Sequence, residues 1–230
     1  MKKISMLLCV VAILLLVLGN TMVKGQETMK DQDGNTYKTV KIGSQVWMAE
    51  NMRAEHDREG KAIAIAMGSE ESYEKPYRYC PDSNSVNVKE YGYLYNWAAA
   101  MKVCPEGWHL PTNAEWTQLT DYLKNNGYYC GSRKDYIAKS LASETGWKSS
   151  SVQCDVGNNP SANNATDFSA LPAGLYHGGY GNFGYVAYFW SATEYNYHEA
   201  WYRGLSYYVA SVGGGNAYED LGFSVRCVRD

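Results

Sequence analysis

The stretch Cys104-Pro105-Glu106-Gly107-Trp108-His109-Leu110-Pro111-Thr112-Asn113-Ala114-Glu115-Trp116 limits what this chain can fold into more than any other. Pro105 and Gly107 punctuate a turn. Leu110 and Pro111 require extended backbone before a helix. Thr112 can accept a hydrogen bond from an amide near the helix start, and Glu115, three residues on, can reach back to complete a capping box. Trp116, Leu119 and Leu123 then recur at helical spacing, and Gly127 supplies a stop. The spacing predicts a turn, a short extended piece and a helix with one apolar face. The same residues carry no chemistry of their own, so they specify fold and not activity.

Flanking segments read as short strands and loops. Tyr37 to Ile42 and Gln45 to Met48 alternate around Gly43-Ser44, which predicts a hairpin with Trp47 inside. Ala62 to Met67 is apolar and strand-like, and Glu70 to Lys75 is charged and expected outside. Ala98 to Met101 reads as a short helix packed by Leu94, Trp97 and Met101. Lys134 to Ala142 suggests another turn or two, with Ile137 and Leu141 facing in. Ser149 to Asp167 is a long loop rich in Asn, Ser and Gly, a length that is usually functional or disordered. Its Asp155, Asn158, Asn159, Asn163 and Asp167 offer the hard oxygens calcium prefers, but an Asn-rich loop held in water explains them as well. Tyr185 to Thr193, His198 to Tyr208 and Gly222 to Arg229 read as strands, and Gly213 to Asn216 as a turn. In the last of these, Phe223, Val225 and Cys227 alternate with Ser224, Arg226 and Val228. Trp108, Trp116, Trp190 and Trp201 are expected in the core.

Lys2 and Lys3 followed by the apolar run Ile4 to Leu18 fit an export signal, too short for a membrane helix. Cleavage is expected after Gly25, with Gly19 as the alternative, which leaves residues 26–230 as one domain. Cys9 lacks the small residues that precede a lipid-acceptor cysteine, so no lipid anchor is expected. Removing the leader moves the net charge from −3 to −6 by deleting Lys2, Lys3 and Lys24. A mildly acidic chain is a poor match for nucleic acid or an anionic membrane. Five cysteines remain: Cys80, Cys104, Cys130, Cys154 and Cys227. An oxidising compartment permits disulfides, and an odd number leaves at least one thiol over. Cys130 and Cys154 flank the polar loop and can close it. There is no Cys-x-x-Cys and the four histidines are scattered, so no metal site and no cofactor are expected.

Several segments together resemble a known family. Asp33 to Tyr37 and Ile42 to Asn51 look like the opening of the Fibrobacter succinogenes major paralogous domain, a family of secreted or surface proteins of Bacteroidetes and Fibrobacteres. Tyr91 to Ala100 resembles its middle and Cys104 to Trp116 its hallmark. Phe168 to Gly174, Phe189 to Glu194 and Gly222 to Arg229 resemble the remainder. Leu110-Pro111-Thr112, Glu115-Trp116 and the terminal Phe-x-x-Arg-Cys-Val are also distantly similar to formylglycine-generating and sulfatase-modifying-factor proteins. That resemblance implies an α+β, C-type-lectin-like fold of small mixed or antiparallel sheets, two or three helices and long loops. It also places Cys104 and Cys227 at the two ends of the family's shared core, which implies that they pair. Cys80 is then left free, because Val88-Lys89-Glu90 stands where the family often has a partner.

Three functions are weighed. Ten of the 21 tyrosines lie between Tyr176 and Tyr218, a density that suits a surface offering flat faces and hydroxyls together. The first expectation is therefore a secreted or cell-surface, non-catalytic module that recognises glycan or protein through its Tyr-rich C-terminal half. Tyr195, Tyr197 and His198 are its candidates from loop placement, Tyr202 and Tyr208 from outward strand parity. Each could instead be a strand tyrosine packed on its neighbours. The second is a structural or assembly component of a surface fibre or matrix. The third is a copper oxidase like the formylglycine-generating group. It is disfavoured because Cys227 has no second cysteine near it in sequence, and the Arg-Gly-Gly-Ser-Trp-type segment of that group is missing. No Gly-x-Ser-x-Gly or comparable frame supports a hydrolase.

Overall fold

A computed structural model describes residues 27–66 and 72–230. The expected export leader, Met67, and Glu70 and Glu71 of the charged stretch lie outside the described residues.

The capping box forms as the sequence requires. The Glu115 amide donates to Thr112 Oγ1 at 3.2 Å, and the Thr112 amide donates to Glu115 Oε2 at 2.8 Å. The helix runs Asn113–Asn125 and buries Trp116, Leu119, Thr120 and Leu123. It ends just before Gly127, whose φ of 82° lies in the left-handed region that closes helices. The other Glu115 oxygen, Oε1, meets His109 Nε2 at 2.8 Å, and His109 Nδ1 meets Asp230 Oδ1 at 2.6 Å. Burial pulls the His109 pKa down, but the two carboxylates outweigh it and leave it raised. Thr112→Ala is expected to cost about 1 kcal/mol through the lost cap. Thermal unfolding checks this, and a variant that melts with the parent would show the cap to be idle.

The predicted opening hairpin is present as Thr36–Ile42 and Gln45–Met48, joined at Gly43-Ser44. Gly43 has φ 62°, and a Cβ there would meet the Tyr122 ring at 2.8 Å, so both the turn and the helix packing require glycine. The hairpin sits inside a five-stranded antiparallel sheet ordered Thr28–Lys30, Thr36–Ile42, Gln45–Met48, Val228–Arg229, Trp108–His109. First and last segments therefore share one sheet, and Arg229 pairs with Glu27 at 3.0 Å.

A second antiparallel sheet holds the long hairpin Val186–Asn196 and Glu199–Ser206, with Gly213–Tyr218 on its edge. The glycines at 213–215 thus form a strand, not the expected turn. Across from Gly215 the Tyr202 ring lies at 3.6 Å from where a Cβ would stand, and Arg203 approaches that of Gly214 at 2.9 Å. Glycine lets these two long side chains lie flat over the edge strand. A small third sheet pairs Ala64–Ile65 in parallel with Tyr77–Tyr79, which pairs antiparallel with Leu94–Tyr95. A two-stranded pair, Leu175–Tyr176 with Tyr180–Gly181, completes an α+β arrangement. The second long helix, Trp97–Val103, starts from Asn96, whose side chain accepts from the Ala99 amide at 3.1 Å. It buries Ala99, Ala100 and Val103, while Trp97 and Met101 are only half-buried. One-turn helices at Val88–Tyr91 and Ala138–Leu141 make up the rest, and Ile137 and Leu141 do face in.

Trp47, Trp116, Phe168 and Phe189 form the central aromatic cluster, with centroids 4.7–6.1 Å apart. They join the opening hairpin, the capped helix, the turn at Phe168 and the long hairpin. Trp108 and Trp190 are buried as expected, but Trp201 is half-buried and lies edge-on to Tyr195 at 5.2 Å.

Residues 222–228 are buried throughout, yet only Val228–Arg229 is strand. Phe223 bridges to Tyr95, Ser224 to Phe189, and Val228 to both Trp47 and His109. The segment runs between sheets, so strand alternation does not apply and Arg226 is fully buried. Its Nε donates to Asn51 Oδ1 at 2.7 Å, Nη1 to the carbonyls of Met48 at 3.0 Å and Phe168 at 2.6 Å, and Nη2 to that of Ser169 at 2.8 Å. The guanidinium lies over the Phe168 ring at 4.8 Å.

Two disulfides form, Cys104–Cys227 and Cys130–Cys154, and Cys80 is a buried free thiol. The loop at Ser149 to Asp167 has one 3-10 turn, at Pro160–Ala162. Its polar side chains bond within the loop and to the segment before it: Asn163 Nδ2 donates to Ser143 and Val156 carbonyls at 3.0 and 3.2 Å, and Asp155 accepts from the Ser150 hydroxyl at 2.7 Å. No helix among the described residues is long and apolar enough to cross a membrane.

Candidate functional site

The long hairpin carries the candidate site at its tip. Asn196 pairs with Glu199, so Tyr197 and His198 alone make the link. His198 has φ 65°, a left-handed conformation in which histidine is one of the more frequent side-chain-bearing residues. Register shifts between Trp190 and Glu194 and between Glu194 and Asn196 bend the strand just before the tip. Such irregularities re-aim side chains.

Three aromatic rings gather there. Tyr73 stacks on His198 with centroids 4.0 Å apart and planes 20° apart, and Tyr197 leans on the same imidazole at 3.7 Å and 47°. Tyr197 is 86% exposed, so most of its ring remains open to water. Behind them stands Glu219, directly after the edge strand. Its amide donates to the His198 carbonyl at 3.0 Å, and its own carbonyl accepts from the Trp97 amide at 2.9 Å. Those bonds fix the carboxylate between the tip and the Trp97 helix. Together with Glu74, Glu194 and Asn196, these groups line a cleft of about 560 Å³.

Glu219 is the unusual member. It is only 6% exposed, and its Oε1 has no hydrogen-bond partner among the described residues. Oε2 lies 4.0 Å from His198 Nδ1, too far for a hydrogen bond. Burial, then Glu194, push its carboxyl pKa up; His198 opposes them and Asp220 adds to the rise. The ionised form is therefore the costly one, and a ligand that donates hydrogen bonds or carries positive charge would relieve the cost.

The five residues expected to form a binding face fall into two groups. Tyr197 and His198 meet at the tip and line the cleft, whereas Tyr195 is 50% exposed on the strand before it, edge-on to Trp201, and does not line the cleft. Tyr202 is half-buried and packs edge-on against Tyr188 at 5.1 Å and Phe223 at 5.3 Å, so its outward parity leads onto the core and not into water. Tyr208 is 62% exposed but follows the far end of the hairpin, roughly 25 Å from the tip at about 3.3 Å per strand residue. Tyr73, Glu74 and Glu219 carry no local signal of a site in the sequence. Only the fold brings them to the tip.

Other clefts offer less. One of about 980 Å³ is lined by Lys38, Glu50, Lys89, Glu90, Glu144 and Asp167 among others, with no aromatic wall. A smaller one of about 300 Å³ lies beside Trp201, Arg203, Lys124 and Asp135. Among the described residues no group of three or more His, Cys, Asp or Glu is placed to hold a metal ion. Cys227 is bonded to Cys104, so its sulfur is not an available thiol in this state.

A family model described as the Fibrobacter succinogenes major domain matches residues 40–229. No curated protein and no solved structure matches the chain.

Proposed function

We propose that this chain, which belongs to the Fibrobacter succinogenes major domain family, is a secreted or cell-surface, non-catalytic module that binds glycan at the tip of its long hairpin. One observation carries the reading: exposed tyrosine, buried unsatisfied carboxylate and amide meet in a single open cleft. Sugars present flat C–H faces edged by hydroxyls, and a site that takes them needs an aromatic platform beside fixed polar groups. Tyr197 supplies the platform, and Glu219, Glu194 and Asn196 the acceptors and donors. Two disulfides fit an oxidising, extracellular setting. The small sheets, few helices and long loops are consistent with a C-type-lectin-like fold, which we take as the architecture.

A glycan array with the tag-free domain tests the reading. Tyr197→Ala is expected to lower affinity for the bound glycan by roughly 1–2 kcal/mol with an unchanged melting temperature, since Tyr197 packs on little but His198. An array with no bound glycan, or a Tyr197→Ala variant that binds as the parent does, would reject it. Tyr202→Ala is the contrast, expected to lower stability through its contact with Phe223.

A second reading, a surface-fibre or matrix component, rests on the edge strand Gly213–Tyr218. Only one side of it is paired, and Gly213, Gly214, Asn216 and Tyr218 are exposed. An open edge can accept a strand from another chain. This reading requires one fixed protein partner, which co-purification from the native surface would reveal.

A further inference from the structure

We infer that the glycan held at the hairpin tip bears free amino groups, so that an ammonium on the sugar completes the unpaired Glu219 carboxylate. The inference rests on the glycan reading above and narrows it to one substrate class. Glu219 lines the cleft, and its Oε1 is buried and lacks any partner among the described residues. A neutral hydroxyl can donate to it, but it leaves the charge uncompensated on a side chain only 6% exposed.

The groups around that oxygen favour a cation. Glu74 and Glu194 line the same cleft and are exposed at its rim, with Asp220 adjoining Glu219 in sequence. His198 is the one basic side chain among the described residues lining the cleft, and it is engaged with the Tyr73 and Tyr197 rings. Among the described residues no lysine or arginine lines it, so the cleft holds carboxylates of one sign that concentrate cations from solution. Tyr197 then adds a ring face to which an ammonium is also attracted. A ligand of the opposite kind, such as a uronic acid or a sulfated sugar, would be repelled by all three glutamates.

A matched pair of oligosaccharides separates this from the broader reading. Glucosamine and N-acetylglucosamine oligomers of equal length differ only in the charge and shape of one substituent. Calorimetric titration at mildly acidic pH, where the amines are protonated, is expected to favour the glucosamine oligomer by about tenfold or more. Glu219→Gln should bring that ratio close to one. Glu74→Gln, at the exposed rim, should reduce it partly and serves if the buried variant fails to fold. Added salt should narrow the preference. Equal binding of both oligomers, or preference for the acetylated one, would overturn the inference and leave the glycan reading standing. Absence of binding to any saccharide, with binding to oligo-lysine instead, would overturn both.

Discussion

Arg226→Met should unfold the domain or bring it close to unfolding, with a loss of about 3–5 kcal/mol, the range for breaking a buried charged network. The guanidinium is fully buried and has no carboxylate partner in hydrogen-bond contact among the described residues. Its charge is held by three backbone carbonyls and the Asn51 amide oxygen. Removing it leaves those acceptors unsatisfied inside the core, each at about 1–3 kcal/mol before relaxation. The carbonyls belong to Met48 at the end of the opening hairpin and to Phe168 and Ser169 in the turn that follows the long loop. Asn51 is itself tied to the Tyr91 carbonyl at 2.8 Å. Burial lowers the Arg226 pKa to about 9 and Glu50 opposes the fall, so the group stays charged at neutral pH. Arg226→Lys should fail nearly as badly, because one ammonium cannot span directions that a planar fork reaches together. Urea unfolding of both variants measures this. Midpoints close to the parent's would show that the carbonyls find water or other donors, and that the arginine does not organise the core.

Replacing both Cys104 and Cys227 with Ala should cost ~5 kcal/mol by the chain-entropy estimate, and the Cys130, Cys154 pair ~3.5 kcal/mol. The two loops differ in length, with separations of 123 and 24 residues. The longer one ties the capped-helix segment to the buried C-terminal segment, next to Arg226. Both of its cysteines are fully buried, so a small packing loss adds to the entropic one. The shorter one closes a peripheral loop already held by hydrogen bonds from Asn163. Denaturant unfolding of the two double variants is the measurement. A larger loss from the Cys130, Cys154 pair would mean that the long loop, not the Cys104–Cys227 tie, holds the domain together.

Local grammar was readable and long-range geometry was not. Thr112, Glu115, Trp116 and Gly127 each state their role within a few residues, so the capped helix was fully legible. The Gly43 hairpin was legible for the same reason. The pairing of Cys104 with Cys227 came from resemblance, since spacing alone leaves several connectivities open. Gly213 to Gly215 misled because glycine serves turns and crowded strands alike, and only the Tyr202 and Arg203 side chains across the sheet decide between them. Arg226 misled because alternation presumes a sheet neighbour on each side. In the site, Tyr197 and His198 declared themselves as a link between two strands. Glu219 did not, because a glutamate ending a strand looks solvated until the Trp97 helix is seen behind it. Tyr73 is brought to His198 across more than a hundred residues, and no pattern in a single sequence announces that.

The pairing of Glu27 with Arg229 has an architectural consequence. The two ends of the described fold belong to one sheet, and although two strands lie between them their side chains meet. A unit built this way can be set into a loop of a larger protein without stretching its host, because it adds almost no distance between its points of attachment. Copies can also follow one another along a chain with short connections. The hairpin tip belongs to the other sheet, so such an array would be joined through one sheet and present its clefts from another.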